Sequence, residues 1–215
     1  MKNKIIIIAL AAALTVVSGK LYIASHKKGA ENGMNSDKSE IVYNNILSRT
    51  SIRAYSNKAI EKEKIEKLLR AGMSAPSAMD ARPWHFIVIN NKKVLQKLAE
   101  SSATNKSAAS APLAIAVCGD MDLALEGDGQ ECWIQDCSAA SENILLQANA
   151  LGLGAVWTST YPSEERQNKV REILNLPSEI KPLNIIVIGY PSSNQKPKDK
   201  WDETAISYNE YGGSL

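Results

Sequence analysis

The chain has 215 residues, 44% of them hydrophobic and 22% charged. That supports one good-sized domain around a single core and argues against a disordered protein. The formal charge is only +2, from 25 Lys and Arg against 23 Asp and Glu, which speaks against a nucleic-acid binder. Three cysteines do not make a disulfide scaffold.

The first segment has the shape of a secretory signal. A basic start, Met1 to Lys4, precedes an uncharged run from Ile5 to Gly19 that Lys20 ends. Val17, Ser18 and Gly19 offer small residues before a cut at Lys20. The run is short for a stable membrane span, but Leu21 to Ala24 extends its apolar character and leaves an uncleaved anchor open. We expect residues 1–19 to be a signal peptide or membrane anchor, and the protein to be exported to a periplasmic space or attached to a membrane through its N-terminus. Residues 20–39 read as a linker, polar and without a hydrophobic period from Ser25 onward. The folded domain is expected over 40–215.

Helical and strand patterns then alternate. Ile60 to Met73 carries Ile65, Leu68, Leu69 and Met73 on one face, an amphipathic helix. Trp84 to Ile89 is a buried strand and Lys92 to Glu100 a helix. Leu113 to Cys118 is a second buried strand. Cys132 to Leu151 is the strongest helix, closed by Gly152 and Gly154. Ala155 to Thr160 is strand-like. Ser163 is placed to cap a helix with two acids in its first turn. Asn184 to Tyr190 is the last core strand, and Pro191 to Lys200 a polar, lysine-rich loop. Such alternation predicts a layered α/β or α+β domain.

The chemistry narrows by elimination. No phosphate loop and no dinucleotide-binding glycine motif is present. His26 lies in the linker and His85 at a strand start, where packing or hydrogen bonding is its expected role; a multi-histidine zinc site is excluded. Cys132 and Cys137 stand five apart on one helix and point to different faces, so they and Cys118 are expected as small core residues. Arg49, Ser51 and Arg53 alternate along an extended segment and would present two guanidinium forks and a hydroxyl on one side. A solvated basic edge would look the same in sequence. Lys196, Lys198 and Lys200 form a second basic cluster. Between helix and strand, Ala75 to Trp84 is a stiff proline-bounded loop whose backbone can approach a flat ligand.

Five segments in register, SRTSIRAY (48–55), IEKLLRAGMSAPSAMDARPWHFIVI (65–89), WIQDCSAASENILLQANALGLGAVW (133–157), NIIVIGYP (184–191) and KPKDKWDE (196–203), resemble the FMN-dependent nitroreductase family from about residue 40 to the C-terminus. The resemblance implies an α+β fold, a central mixed β-sheet flanked by helices, in an intertwined homodimer with FMN at the subunit interface. It assigns Arg49 and Ser51 to the phosphate and ribityl chain and Arg53 to the pyrimidine edge of the flavin. Pro76, Ser77, Ala78 and Asp80 match the loop that the other subunit lays against the ring. Asn105 matches a pyrimidine-edge amide, Ser159 and Thr160 a backbone N–H near flavin N5, and Lys198 and Lys200 a late basic pair on the phosphate.

The implied activity is electron transfer from NAD(P)H or another reductant to nitroaromatics, quinones or similar electrophiles, with no side-chain nucleophile and no metal. Family members often carry Asn where Asp80 stands and glycine near Ser159 and Thr160, and most lack a leader. The competing readings are a relative with another flavin reaction, an exported flavin-binding electron carrier without nicotinamide activity, and a flavin-free scaffold domain.

Overall fold

A computed structural model of the chain describes residues 37–193 and 195–214. The expected leader at 1–19 lies outside the described residues, as does most of the linker. Residues 37–48 form helix α1, so helix already begins within the segment read as linker. Ile41, Val42, Tyr43, Ile46 and Leu47 of this helix are exposed.

The body, residues 47–215, is built on one sheet. Its strands are β1 (Trp84–Ile89), β2 (Leu113–Asp120), β3 (Gly154–Ser159) and β4 (Ile180–Gly189), in the order β1-β2-β4-β3. All three pairings are antiparallel. The four strands thus form an antiparallel sheet; a parallel contact is made by the isolated bridge between Ser51 and Ala155, on the outer edge of β3. Helices α2 (Lys62–Met73), α3 (Lys92–Ser101), α4 (Cys132–Ala150) and α5 (Glu164–Leu174) cover it.

The period of two along β2 explains why both faces are dry. Ala114, Ala116 and Cys118 join Leu95, Leu98 and Val170 in one core layer, under α3 and α5. Leu113, Ile115 and Val117 join Leu68, Trp133, Cys137 and Ile144 in the other, under α2 and α4. Strands buried on both faces read as continuous apolar runs, which is why they were legible. Cys118 and Cys137 thus belong to different layers, and burial drives both thiols upward in pKa, that of Cys118 to about 12. Cys132 is half-buried.

The boundaries differ from expectation where a side chain or a bulge intervenes. Helix α2 starts at Lys62 because Glu61 is its extended N-cap residue. There Glu61 accepts from the Tyr190 hydroxyl and pairs with Lys58 at 3.2 Å. Strand β4 starts at Ile180, not Asn184, because a register shift opposite Val117 and Cys118 accommodates Pro182 within it; bulges are where a sheet tolerates proline. Ser163 caps α5, accepting from the Arg166 N–H at 3.4 Å. His85 is exposed and not packed: it shares a face with Ile87 and Ile89 but lies at the start of edge strand β1, outside the core layer those residues join.

Candidate functional site

The segment 49–53 is held by its apolar member. Ile52 is 6% exposed, and its N–H donates to Ala155 O at 3.0 Å. A Cβ at Gly154 would lie 2.6 Å from Ile52, so only glycine lets the segment approach β3 this closely. Three residues on, the Tyr55 hydroxyl bonds Ile52 O and Val187 O. Burial raises the pKa of that phenol well above its usual value, against the pull of Arg53. Of the alternating set, Arg49 and Arg53 each line a cleft, whereas Ser51 lines neither and bridges Ala155 through its backbone.

Two clefts open along this segment. One, of about 190 Å³, includes Arg49, Thr50, Asn149, Gly152, Ser193 and Gln195. Arg49 stands 3.6 Å from the half-exposed carboxylate of Glu142. The other, of about 540 Å³, is lined by Arg53, Lys106, Ser107, Trp157, Ser159 and Arg166 among others. Among the described residues that line it are three cations and no carboxylate. One of its lining groups, the hydroxyl of Ser107, is buried without a hydrogen-bond partner, which is costly unless a ligand supplies one.

The two ends of the 159–160 pair have different fates. Thr160 is 1% exposed and its N–H donates to Leu183 O at 3.0 Å. Alternation along β3 places the Ser159 N–H on the outer edge with Ala155 O, where Ser159 O already accepts from Arg166 Nη1 at 3.1 Å. Ser159 therefore keeps its backbone for the cleft and Thr160 spends its own on the sheet.

The remaining expected residues are placed apart. Asn105 is 3% exposed and donates to Ser101 Oγ at 3.1 Å, with its Oδ1 buried and unpartnered; its neighbours Thr104 and Lys106 line the larger cleft. Pro76 to Asp80 lines neither cleft. This loop closes on itself: Ser77 Oγ accepts from the Arg82 N–H at 3.0 Å, and Asp80 forms a two-pronged ion pair with Arg82. The guanidinium holds the Asp80 carboxyl below the usual carboxylate range. Lys198 and Lys200 are exposed on the C-terminal tail and line neither cleft, although the tail's root at Ser193 and Gln195 borders the smaller one. Lys106 and Arg166 had no signal in the sequence: each lies in a different element from Arg53, and only the fold brings the three together.

The model of the nitroreductase family matches residues 46–124 and 103–190. The chain belongs to the nitroreductase family. A relative in Methanothermobacter thermautotrophicus, described as a candidate NADH dehydrogenase/NAD(P)H nitroreductase, is 44% identical over 162 residues, 75% of this chain and 83% of that protein. A crystal structure from Bacteroides thetaiotaomicron with the same description is 47% identical at a TM-score of 0.75, covering 80% of this chain and 98% of that one. An FMN-dependent nitroreductase from Clostridium difficile is 32% identical at a TM-score of 0.71, covering 77% and 98%. The family is one of oxidoreductases, so this nitroreductase is read as a redox enzyme. Its own residues fit FMN: a guanidinium beside hydroxyls suits a phosphate, three cations suit the charge a reduced flavin gains, and the orphaned Ser107 hydroxyl suits a polar ring edge.

Proposed function

We propose that this nitroreductase is an FMN-dependent oxidoreductase that takes electrons from NADH or NADPH and delivers them to nitroaromatics, quinones or similar electrophiles. The observation that carries this reading is the pair of clefts joined by one extended segment, with Arg49 at one and Arg53 at the other. Bound FMN would supply the redox chemistry at its N5, where no side chain is suited to it. Arg49 and Ser51 would hold the phosphate and ribityl chain, with Glu142 displaced from Arg49. Arg53 and Lys106 would place positive charge at the pyrimidine edge, where it stabilises the reduced ring. The Ser159 N–H would face N5.

In this reading the Pro76–Asp80 loop meets the ring from a second subunit, and Lys198 and Lys200 reach the phosphate from the tail. The exposed apolar side chains support a homodimer: those of α1, and separately Trp201, Ile206 and Tyr211 of the tail. Apolar surface of that extent marks an interaction site. Arg82 offsets the charge that Asp80 would bring to the ring, so the departure from Asn costs the reduced flavin less than a bare carboxylate would. The apolar run at 5–19 further supports export or membrane anchoring of the domain.

An absorbance spectrum of the purified domain, then anaerobic titration with each nicotinamide, tests the proposal. A yellow protein whose flavin bleaches with NADH or NADPH is expected. A colourless, monomeric protein that takes up no added FMN overturns it, and a flavin that binds but is not reduced reassigns the protein as an electron carrier. Cell fractionation with N-terminal sequencing tests the leader: an intact Met1 in the soluble cytosol removes it.

A further inference from the structure

We propose that Asp136 is a positioning residue whose buried carboxylate fixes the Pro76–Asp80 turn in the shape that seats the flavin ring. The second half of this statement rests on the function proposed above; the first half does not.

Asp136 lies on α4, is 5% exposed and accepts a hydrogen bond from the Ala78 N–H at 2.9 Å. Among the described residues no cation pairs with it. A carboxylate is rarely buried without a counter-charge, because the loss of water costs several kcal/mol.

The turn needs an outside tether for a local reason. Ser77 is the N-cap residue of the short 3-10 turn Ala78–Asp80, but its hydroxyl is taken by the Arg82 N–H and makes no cap. Inside the turn, the Asp80 N–H donates to Ser77 O at 3.1 Å and the Ala81 N–H to Ala78 O at 3.0 Å. That leaves the Ala78 N–H for Asp136. The turn is also costly: Met79, Asp80 and Arg82 hold φ of 51°, 56° and 51°, a region that non-glycine residues enter at a cost of about 1 kcal/mol or more each.

What this expense secures is not core. None of residues 78–80 is fully buried, and Met79 is 87% exposed. A buried charge spent on holding a strained, exposed turn returns no packing, which points to a turn shaped for what it meets outside the chain. Residues 76–78 are the ones whose backbone would lie against the ring.

The test compares Asp136→Ala, Asp136→Asn and Ala78→Pro in the whole protein. The asparagine keeps an acceptor oxygen. The proline deletes the donor from the turn's side, at a first helical position that follows an extended Ser77 (φ −140°, ψ 154°). In FMN-free protein, amide exchange at residues 79–82 should rise about tenfold or more in the alanine and proline variants, stay near wild type in the asparagine variant and not change elsewhere. In the loaded protein the same two variants should lose about tenfold or more in FMN affinity, from the loss of one charge-assisted bond, and shift the flavin's visible band, again with rescue by asparagine. Unchanged exchange in both variants overturns the tether. Raised exchange with unchanged FMN affinity and band shape overturns the seating role, while Arg49→Ala tests the proposed function separately. Should the alanine variant not fold, Ala78→Pro against wild type carries the same comparison.

Discussion

The segment 49–53 and the turn 76–82 are both expected to meet the same ligand, yet they are held in opposite ways. The first is fastened by the body: Ile52 is buried, its N–H joins the sheet edge, and Gly154 makes room for it. The second is exposed, closes through its own hydrogen bonds and takes a side-chain tether from Asp136. The difference separates two ways of keeping a cation or a backbone in place. One borrows the rigidity of a core that must exist anyway; the other stores strain locally and depends on a single buried acceptor.

Four measurements would break or sharpen that contrast. Arg49→Ala should have the largest effect, weakening FMN binding by about 10- to 100-fold, because a charge-assisted contact contributes about 1.5–3 kcal/mol. Equal retention of FMN by equilibrium dialysis would remove Arg49 from the phosphate site. Gly154→Ala should come next. The added Cβ collides with Ile52, and overpacking costs about 1–3 kcal/mol, so both Tm and FMN affinity should fall together; a loss of stability alone would show that the segment is not shared between core and ligand.

The third measurement follows Tm against pH. Glu61, at the N-terminus of α2, has its carboxyl lowered to about 2, first by the Tyr190 hydroxyl, then by its own backbone N–H and by Lys58. A depressed carboxylate stabilises the fold fully above its unfolded value near 4.5 and progressively less as pH falls toward 2. Glu61→Gln should therefore lower Tm slightly at neutral pH, as befits an exposed group, flatten the acid loss across that window and converge with wild type as pH falls toward 2. The smallest effect is expected in the turn itself. Asp80→Asn breaks an exposed ion pair and suits the left-handed conformation, so Tm should not move, while the flavin's midpoint potential should, since Arg82 is left without its counter-charge. A clear fall in Tm would mean that the turn is part of the stability of the body after all.

The layers were legible in the sequence because apolar runs and the 3.6-residue period of α4 leave no other arrangement that buries them. The Ser163 cap was legible for the same local reason. What escaped was set by distant residues. Pro182 hid the first part of β4, since its bulge depends on where β2 lies. Asp136 gave no signal in the sequence, because its partner, the Ala78 N–H, belongs to the distant 76–82 turn. Asn105 read as a ligand-facing amide, but the 3-10 segment that holds it turns Asn105 toward Ser101 and presents Thr104 and Lys106 to the cleft. Arg53, Lys106 and Arg166 meet only because α5 and that segment pack beside β3.

The separation of Cys118 and Cys137 into opposite layers has a consequence for handling the protein in air. Cys137 donates its S–H to the Cys118 backbone oxygen at 3.4 Å, and burial keeps both as protonated thiols out of water, so thiol-directed oxidants and alkylating reagents meet Cys132 first while the chain stays folded. An oxidising compartment would therefore leave the interior thiols unscrambled and direct thiol oxidation of the native protein, a cross-link between two molecules included, to Cys132.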